Sequence, residues 1–243
     1  MTNPADLRFL LLQARLPGDV IRDEEHRSFA QQLGVGVDQV RTLDIFTESP
    51  TASHRQDVDA VLVGGSGDFG VVNPADPITG MINFVADTAE AGFPMFASCF
   101  GFQAMVVGLG GSVIEDRENT EVGTCTAKRL PTADGDPLFG SLPTEFAVQF
   151  GHKDRADRLP TGVINMIETD RCPYQAIKID GTPVYATQFH PELTGEDNRR
   201  RFLRYREEYG AVFGEAQAQE LLDGCGPCPE ANALLRRFIA EFL

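Results

Sequence analysis

Residues 93–111, FPMFASCFGFQAMVVGLGG, change their hydrophobic period across one cysteine, and that change admits few folds. Residues 93–98 form a short apolar run suited to a buried strand of a parallel sheet. After Cys99, Phe102, Met105, Val106 and Leu109 recur at helical spacing until Gly110 and Gly111 end the run. A strand that turns at once into a helix through a cysteine, with small residues (Ala97 and Gly101) two positions to either side, has the layout of a nucleophile elbow. The small residues let the backbone turn tightly enough to present the side chain. The unpaired N–H groups at a helix N-terminus also favour negative charge on a thiol placed there. Cys99 is therefore a candidate nucleophile, the alternative for an isolated cysteine being a packed core residue.

A second stretch, VYATQFHPEL at residues 184–193, is another apolar strand that runs into His190, Pro191 and Glu192. A histidine with a carboxylate two residues on, just past a strand end, supplies a base and the group that orients it. The pair follows the cysteine by about ninety residues, and together they make a Cys-His-Glu constellation.

At these residues the sequence resembles the class I glutamine amidotransferases, whose elbow reads Gly-x-Cys-x-Gly-x-Gln and is followed downstream by His-Pro-Glu. Cys99, Gly101, Gln103, His190, Pro191 and Glu192 match, as does an earlier Gly-Gly turn, Gly64-Gly65 in AVLVGGSGDFG. The resemblance runs from about residue 57 to 193 and departs at Ala97 and Ser98, where the family has glycine and an aliphatic residue. It implies a flavodoxin-like α/β fold, with a mostly parallel central sheet flanked by helices, a small antiparallel addition and C-terminal helices. It further implies an oxyanion hole made by the N–H groups of Phe100 and Gly65, and a substrate pocket shaped by Gln103, Gly64, His152 and Asp154. The last two lie in GHKD, residues 151–154, for which a solvated turn is the alternative. No cofactor or metal is implied.

With 243 residues and 42% hydrophobic content the chain is expected to be one domain, with a core over about 7–195 and a helical extension over about 196–243. A net charge of −15 argues against nucleic-acid or anionic-membrane partners, which need a basic face. No run reaches membrane-span length, and Asp6 and Arg8 do not suit a signal peptide, so a cytoplasmic protein is expected. Five scattered cysteines read as reduced thiols.

In order, strands are expected at 7–14, 40–46, 58–63, 145–150, 163–168, 175–179 and 184–189, and helices at 21–33, 78–91 and 230–243. Residues 112–122 read as a strand plus turn, and 131–143 as a loop-rich passage. Gly65-x-Gly67-x-x-Gly70 formally matches a dinucleotide fingerprint, but Asn73, Pro74, Asp76 and Pro77 separate it from the next helix. The arginine-rich segment after Thr194 reads as a helix with a solvated face, or as one that docks a partner. CGPC, residues 225–228, lacks the preceding strand that a thioredoxin-like motif requires and has too few neighbours for zinc.

Three functions fit: an amidotransferase resembling that part of GMP synthase, a γ-glutamyl peptide or amine hydrolase, or a non-catalytic partner-binding domain. The intact triad speaks against the last. No synthetase segment lies within these residues, so the first reading implies a separate synthetase or acceptor-binding protein beside the small-molecule substrate.

Overall fold

The computed structural model describes residues 4–243. Its first strand, β1 (Phe9–Gln13), is buried along its whole length, as a strand covered on both faces must be. Alternate residues feed two cores. Phe9 and Leu11 join Phe29, Leu62, Phe96, Tyr185 and Phe238 on one face. Leu10 and Leu12 join Val61, Val63, Ala97 and Met105 on the other.

The chain continues through α1 (Ile21–Leu33), β2 (Val40–Asp44), β3 (Ala60–Val63), α2 (Asp76–Glu90), β4 (Met95–Ser98) and α3 (Phe100–Gly108). There follow β5 (Ser112–Glu115), β6 (Glu121–Arg129), β7 (Glu145–His152), β8 (Asp154–Arg158), β9 (Val163–Glu168), β10 (Ala176–Ile179) and β11 (Val184–Thr187). Four helices end it: α4 (Gly195–Arg204), α5 (Arg206–Phe213), α6 (Glu215–Asp223) and α7 (Pro229–Phe242).

Nine strands form one sheet in the order β2-β1-β3-β4-β11-β10-β9-β6-β7. The first five are parallel to one another. The last four continue it as an antiparallel wing, and β5 pairs with β8 in a separate ribbon. Helices α1 and α7 cover one face, where Phe238 meets Phe96 edge-on with centroids 5.8 Å apart, and α2 and α3 cover the other. The fold is the expected α/β architecture, with an antiparallel part larger than a small addition.

Several local expectations shift. Helix α2 starts at Asp76 because Pro77, which has no N–H to lose, fits the first turn. No helix begins on the glycines at 65–70, so the dinucleotide arrangement is absent there. The chain turns at Lys153 alone, His152 ending β7 and Asp154 opening β8. Among the described residues no helix is long and apolar enough to cross a membrane.

Candidate active site

Cys99 occupies the single residue between β4 and α3, with φ 51° and ψ −101°. Asn73 is the one other non-glycine residue with positive φ among those described. Such a backbone costs on the order of 1–3 kcal/mol and persists only where its surroundings fix it. Two contacts do so. The Cys99 N–H donates to the Thr187 carbonyl at the end of β11 over 2.7 Å. Behind the elbow, a Cβ on Gly101 would lie 2.7 Å from Val63 Cβ and 2.9 Å from its carbonyl, so only glycine lets α3 approach β3 this closely.

The parallel register of β4 and β11 pairs Ser98 with Thr187, which brings the segment after β11 beside the elbow. There the His190 N–H donates to the Gln149 carbonyl over 2.9 Å, and the His190 ring Nδ1 faces Glu192 Oε1 at 2.6 Å. Nδ1–H donating to the carboxylate leaves Nε2 as the working nitrogen. Asn232 of α7 fastens this loop, its Nδ2 donating to the carbonyls of Pro191 and Leu193 at 2.8 Å each.

Burial works against a charged imidazole at His190, but the Glu192 carboxylate and Cys99 outweigh it and raise the pKa to about 9. Glu192 is fully buried, which favours its neutral form, yet His190 and then Arg201 hold its carboxyl below the usual range. Arg201 Nη1 stands 3.8 Å from Glu192 Oε1.

Cys99 and His190 open onto a cavity of about 110 Å³, which Gly65, Gln103, His152 and Asp154 also line. Gln103 Nε2 donates to the Asp154 carbonyl at 2.9 Å and to Gln188 Oε1 at 3.2 Å. Gln188 Nε2 in turn lies 3.6 Å from Cys99 Sγ. The His152 ring is held between the Asp154 carbonyl (Nδ1, 3.0 Å) and Glu121 Oε2 (Nε2, 3.2 Å). Burial raises the Asp154 carboxyl.

The Gly-Gly turn differs from the expectation. The Gly65 N–H donates to Glu25 Oε1 at 3.1 Å and so points at α1 rather than at the space above the thiol. Gly64 does not line the cavity: a Cβ there would sit 2.6 Å from Glu25 Cδ, so its glycine makes room for that carboxylate. Glu25 is wholly buried and also takes Arg15 Nη2 at 3.1 Å and Gln13 Nε2 at 3.0 Å. Phe100, whose N–H is the first of α3, is free of an intrahelical acceptor by its position.

Glu25, Arg15, Gln188 and Arg201 were not singled out from sequence. Gln188 alone had a usable signal, lying one strand period before His190. Cys225 and Cys228 are free thiols at a joint. Cys228 Sγ lies 3.5 Å from the Leu193 carbonyl, and the Gly226 carbonyl accepts from Gln149 Nε2 at 2.8 Å.

The family model described as glutamine amidotransferase class-I matches residues 26–206. GMP synthase [glutamine-hydrolyzing] of Thermosipho africanus is 38% identical over 112 residues, 46% of this chain and 21% of that protein. The enzyme of the same name from Streptococcus pneumoniae is 29% identical over 174 residues, 68% of this chain and 32% of that protein. The chain thus spans about a fifth to a third of the length of these curated relatives. A glutamine amidotransferase structure from Thermotoga maritima superposes with a TM-score of 0.74 at 17% identity, covering 98% of each chain. A putative GMP synthase subunit from Thermoplasma acidophilum gives 0.61 at 21% identity, covering 88% of this chain and 98% of that one. Because the matched span runs unbroken through the Gly-Gly turn, the cysteine elbow and the His-Pro-Glu segment, this chain belongs to the class-I glutamine amidotransferase family.

Proposed function

We propose that the protein hydrolyses the side-chain amide of glutamine through Cys99, His190 and Glu192 and releases ammonia for a GMP synthase-like amidation. One observation carries this reading: a strained elbow cysteine and His190, itself paired with the buried Glu192, open onto one cavity.

In the proposed cycle the Cys99 proton resides on His190, whose raised pKa holds it as an imidazolium beside the thiolate, and the thiolate attacks the amide carbon. Negative charge moves to the former carbonyl oxygen, which the Phe100 N–H stabilises. Collapse of the tetrahedral species breaks the C–N bond while His190 returns the proton to the leaving nitrogen, so ammonia departs and a γ-glutamyl thioester remains. Water, deprotonated by His190, adds to the thioester carbon. The thiol leaves with a proton and glutamate is released. Glu192 keeps the imidazole oriented and balances its charge.

Gly65 joins Phe100 as the second oxyanion donor once its N–H swings from Glu25 towards the cavity, and breaking that bond takes up part of the about 2.7–4 kcal/mol that a preorganised donor contributes. Gln103 and Asp154 shape the glutamine pocket, and His152 braces it through Glu121. The acceptor is held by a separate synthetase, a reading supported by relatives named as whole GMP synthases and by the Thermoplasma acidophilum chain, which this fold covers over 98% of its length.

The test is glutamate and ammonia release from glutamine by the purified protein, with Cys99→Ala as control. Cys99-dependent turnover is expected. Equal turnover by the alanine variant, or no reaction of Cys99 with a glutamine analogue, would overturn the reading.

A further inference from the structure

Behind the wall that His152 gives to the cavity, three side chains of metal-binding type meet in the antiparallel wing. Glu121 opens β6, His152 ends β7 and Cys172 lies in the loop between β9 and β10. The register of β6 and β7 sets Glu121 opposite His152, and the loop carries the thiol up to both. A carboxylate oxygen, a ring nitrogen and the thiol sulfur all lie within 4.8 Å of one another, with Glu121 4%, His152 5% and Cys172 1% exposed. Among the described residues this is the one such group of three.

The histidine is set for coordination. Its Nδ1 sits 3.0 Å from the Asp154 carbonyl, an acceptor only, so Nδ1 carries the hydrogen and Nε2 turns to the cluster. Metal-bound histidines are held in this way, the second nitrogen donating to a carbonyl. Nε2 stands 3.2 Å from Glu121 Oε2, within the roughly 3.2–3.6 Å that separates two ligands lying about 2.0–2.3 Å from a tetrahedral zinc. Apart from the cluster, Cys172 Sγ has the Asn119 carbonyl at 3.7 Å, a contact that a weak thiol donor gives up readily.

Gln175 supplies an independent sign. It is fully buried and its Oε1 has no hydrogen-bond partner, which a native interior rarely tolerates. The Nε2 of the same amide donates to Glu121 Oε2 at 2.5 Å and to Thr169 Oγ1 at 3.0 Å. Turning the amide over aims the orphaned oxygen at that carboxylate, and two oxygens so close are stable with a cation between them.

The donors decide which cation. Calcium and magnesium take oxygen ligands, whereas a set of sulfur, nitrogen and oxygen suits zinc. Four protein donors leave no open position, which is the pattern of a structural site. Asp170, Arg171 and Pro173 around the thiol are exposed, so the ion has a short way in from solvent.

We propose that Glu121, His152 and Cys172, with Gln175 as fourth donor, bind one zinc ion that ties the end of β7 to the β9–β10 loop behind the cavity wall. The ion displaces the thiol proton to solvent as the bonds to sulfur, nitrogen and oxygen form, and no oxidation state changes.

The experiment reads metal rather than turnover, so it stands apart from the glutaminase reading. The full chain, stripped with EDTA and titrated with zinc chloride, should retain one zinc per chain after desalting, counted by plasma mass spectrometry, and its thermal midpoint should rise. Cobalt(II) in place of zinc should give the near-ultraviolet band of a metal-bound thiolate. Cys172→Ser should abolish that band and weaken zinc binding at least about a hundredfold, and Glu121→Gln should weaken it at least about tenfold. The Cys225→Ser/Cys228→Ser variant should retain both. Zinc-edge X-ray absorption of the loaded wild type, which serves if a variant fails to melt cooperatively, should show one sulfur among nitrogen and oxygen neighbours. A wild type that leaves desalting without zinc, a cobalt band that survives the loss of Cys172 or disappears with Cys225 and Cys228, or a zinc shell without sulfur overturns the site.

Discussion

Gly65 donates its N–H to Glu25 over 3.1 Å, so the turn expected to serve the oxyanion is tied to α1 through one buried carboxylate. The same carboxylate faces Arg15 at 3.1 Å, with Arg15 4% exposed and Glu25 fully covered. Removing one member of a buried ion pair costs up to about 3–5 kcal/mol, and here Arg15 keeps a second partner in Asp19 at 3.3 Å while Glu25 keeps Gln13 and the Gly65 N–H. Glu25→Gln and Arg15→Met should each destabilise the protein by up to that much, and the double variant by clearly less than the sum. Urea denaturation of the three variants checks this, and additive losses would count against the pairing.

His190 makes stability depend on pH. Its folded pKa, about 9, lies above the value near 6.5 of an unfolded histidine, so the folded state binds the proton more tightly. The contribution is complete below about pH 6.5 and is lost as pH rises through about 9. Glu192, held below its ordinary range, acts oppositely, its contribution fading as pH falls through its folded value. The stability gap between wild type and His190→Gln should therefore shrink between pH 6.5 and 9, as followed by the urea midpoint.

Glu192→Gln retains the shape of the side chain and removes the charge that keeps His190 protonated. The alkaline limb of kcat against pH should move down from about 9 towards ordinary imidazole values. The rate at neutral pH should drop roughly a hundredfold to ten-thousandfold. A limb that stays in place would assign the elevated titration to Cys99 or another group instead.

Gly101→Ala forces a methyl into contact with Val63, whose Cβ and carbonyl would lie 2.7 and 2.9 Å away. Overpacking of that kind costs about 1–3 kcal/mol, and relief by moving α3 would shift the elbow. The melting temperature should fall, and kcat should fall with little change in KM. A variant with wild-type rates would show that the elbow tolerates a wider separation from β3.

Cys99, His190 and Glu192 were legible because their signals are local. Each sits where an apolar strand ends, and chain order preserved their spacing. The bounds of α1 were equally plain, since Phe29, Ala30 and Leu33 share one face and Gly34, at φ 77°, stops the helix. Strand β6 was largely missed. It carries Gly123 at φ 86° and a run of small polar residues whose partners, on β7 and β9, set its pairing. Glu25, Arg15 and Arg201 gave no signal for a related reason. Each meets the site from a separate element, and no spacing within one segment encodes that meeting. The direction of the Gly65 N–H was beyond reach likewise, because it depends on a carboxylate forty residues earlier in the chain.

The two bonds from Asn232 to the carbonyls of Pro191 and Leu193 have a consequence for the protein's birth. Synthesis runs from the N-terminus, so the thiol and the imidazole both emerge before the helix whose amide clasps the segment just after the imidazole. A nascent chain that has exposed residues 99 and 190 but not 232 holds its thiol and its imidazole without the fastening that α7 adds to residues 191–193. On the proposed reading, the loop that carries His190 and Glu192 is fully fastened only once α7 has docked.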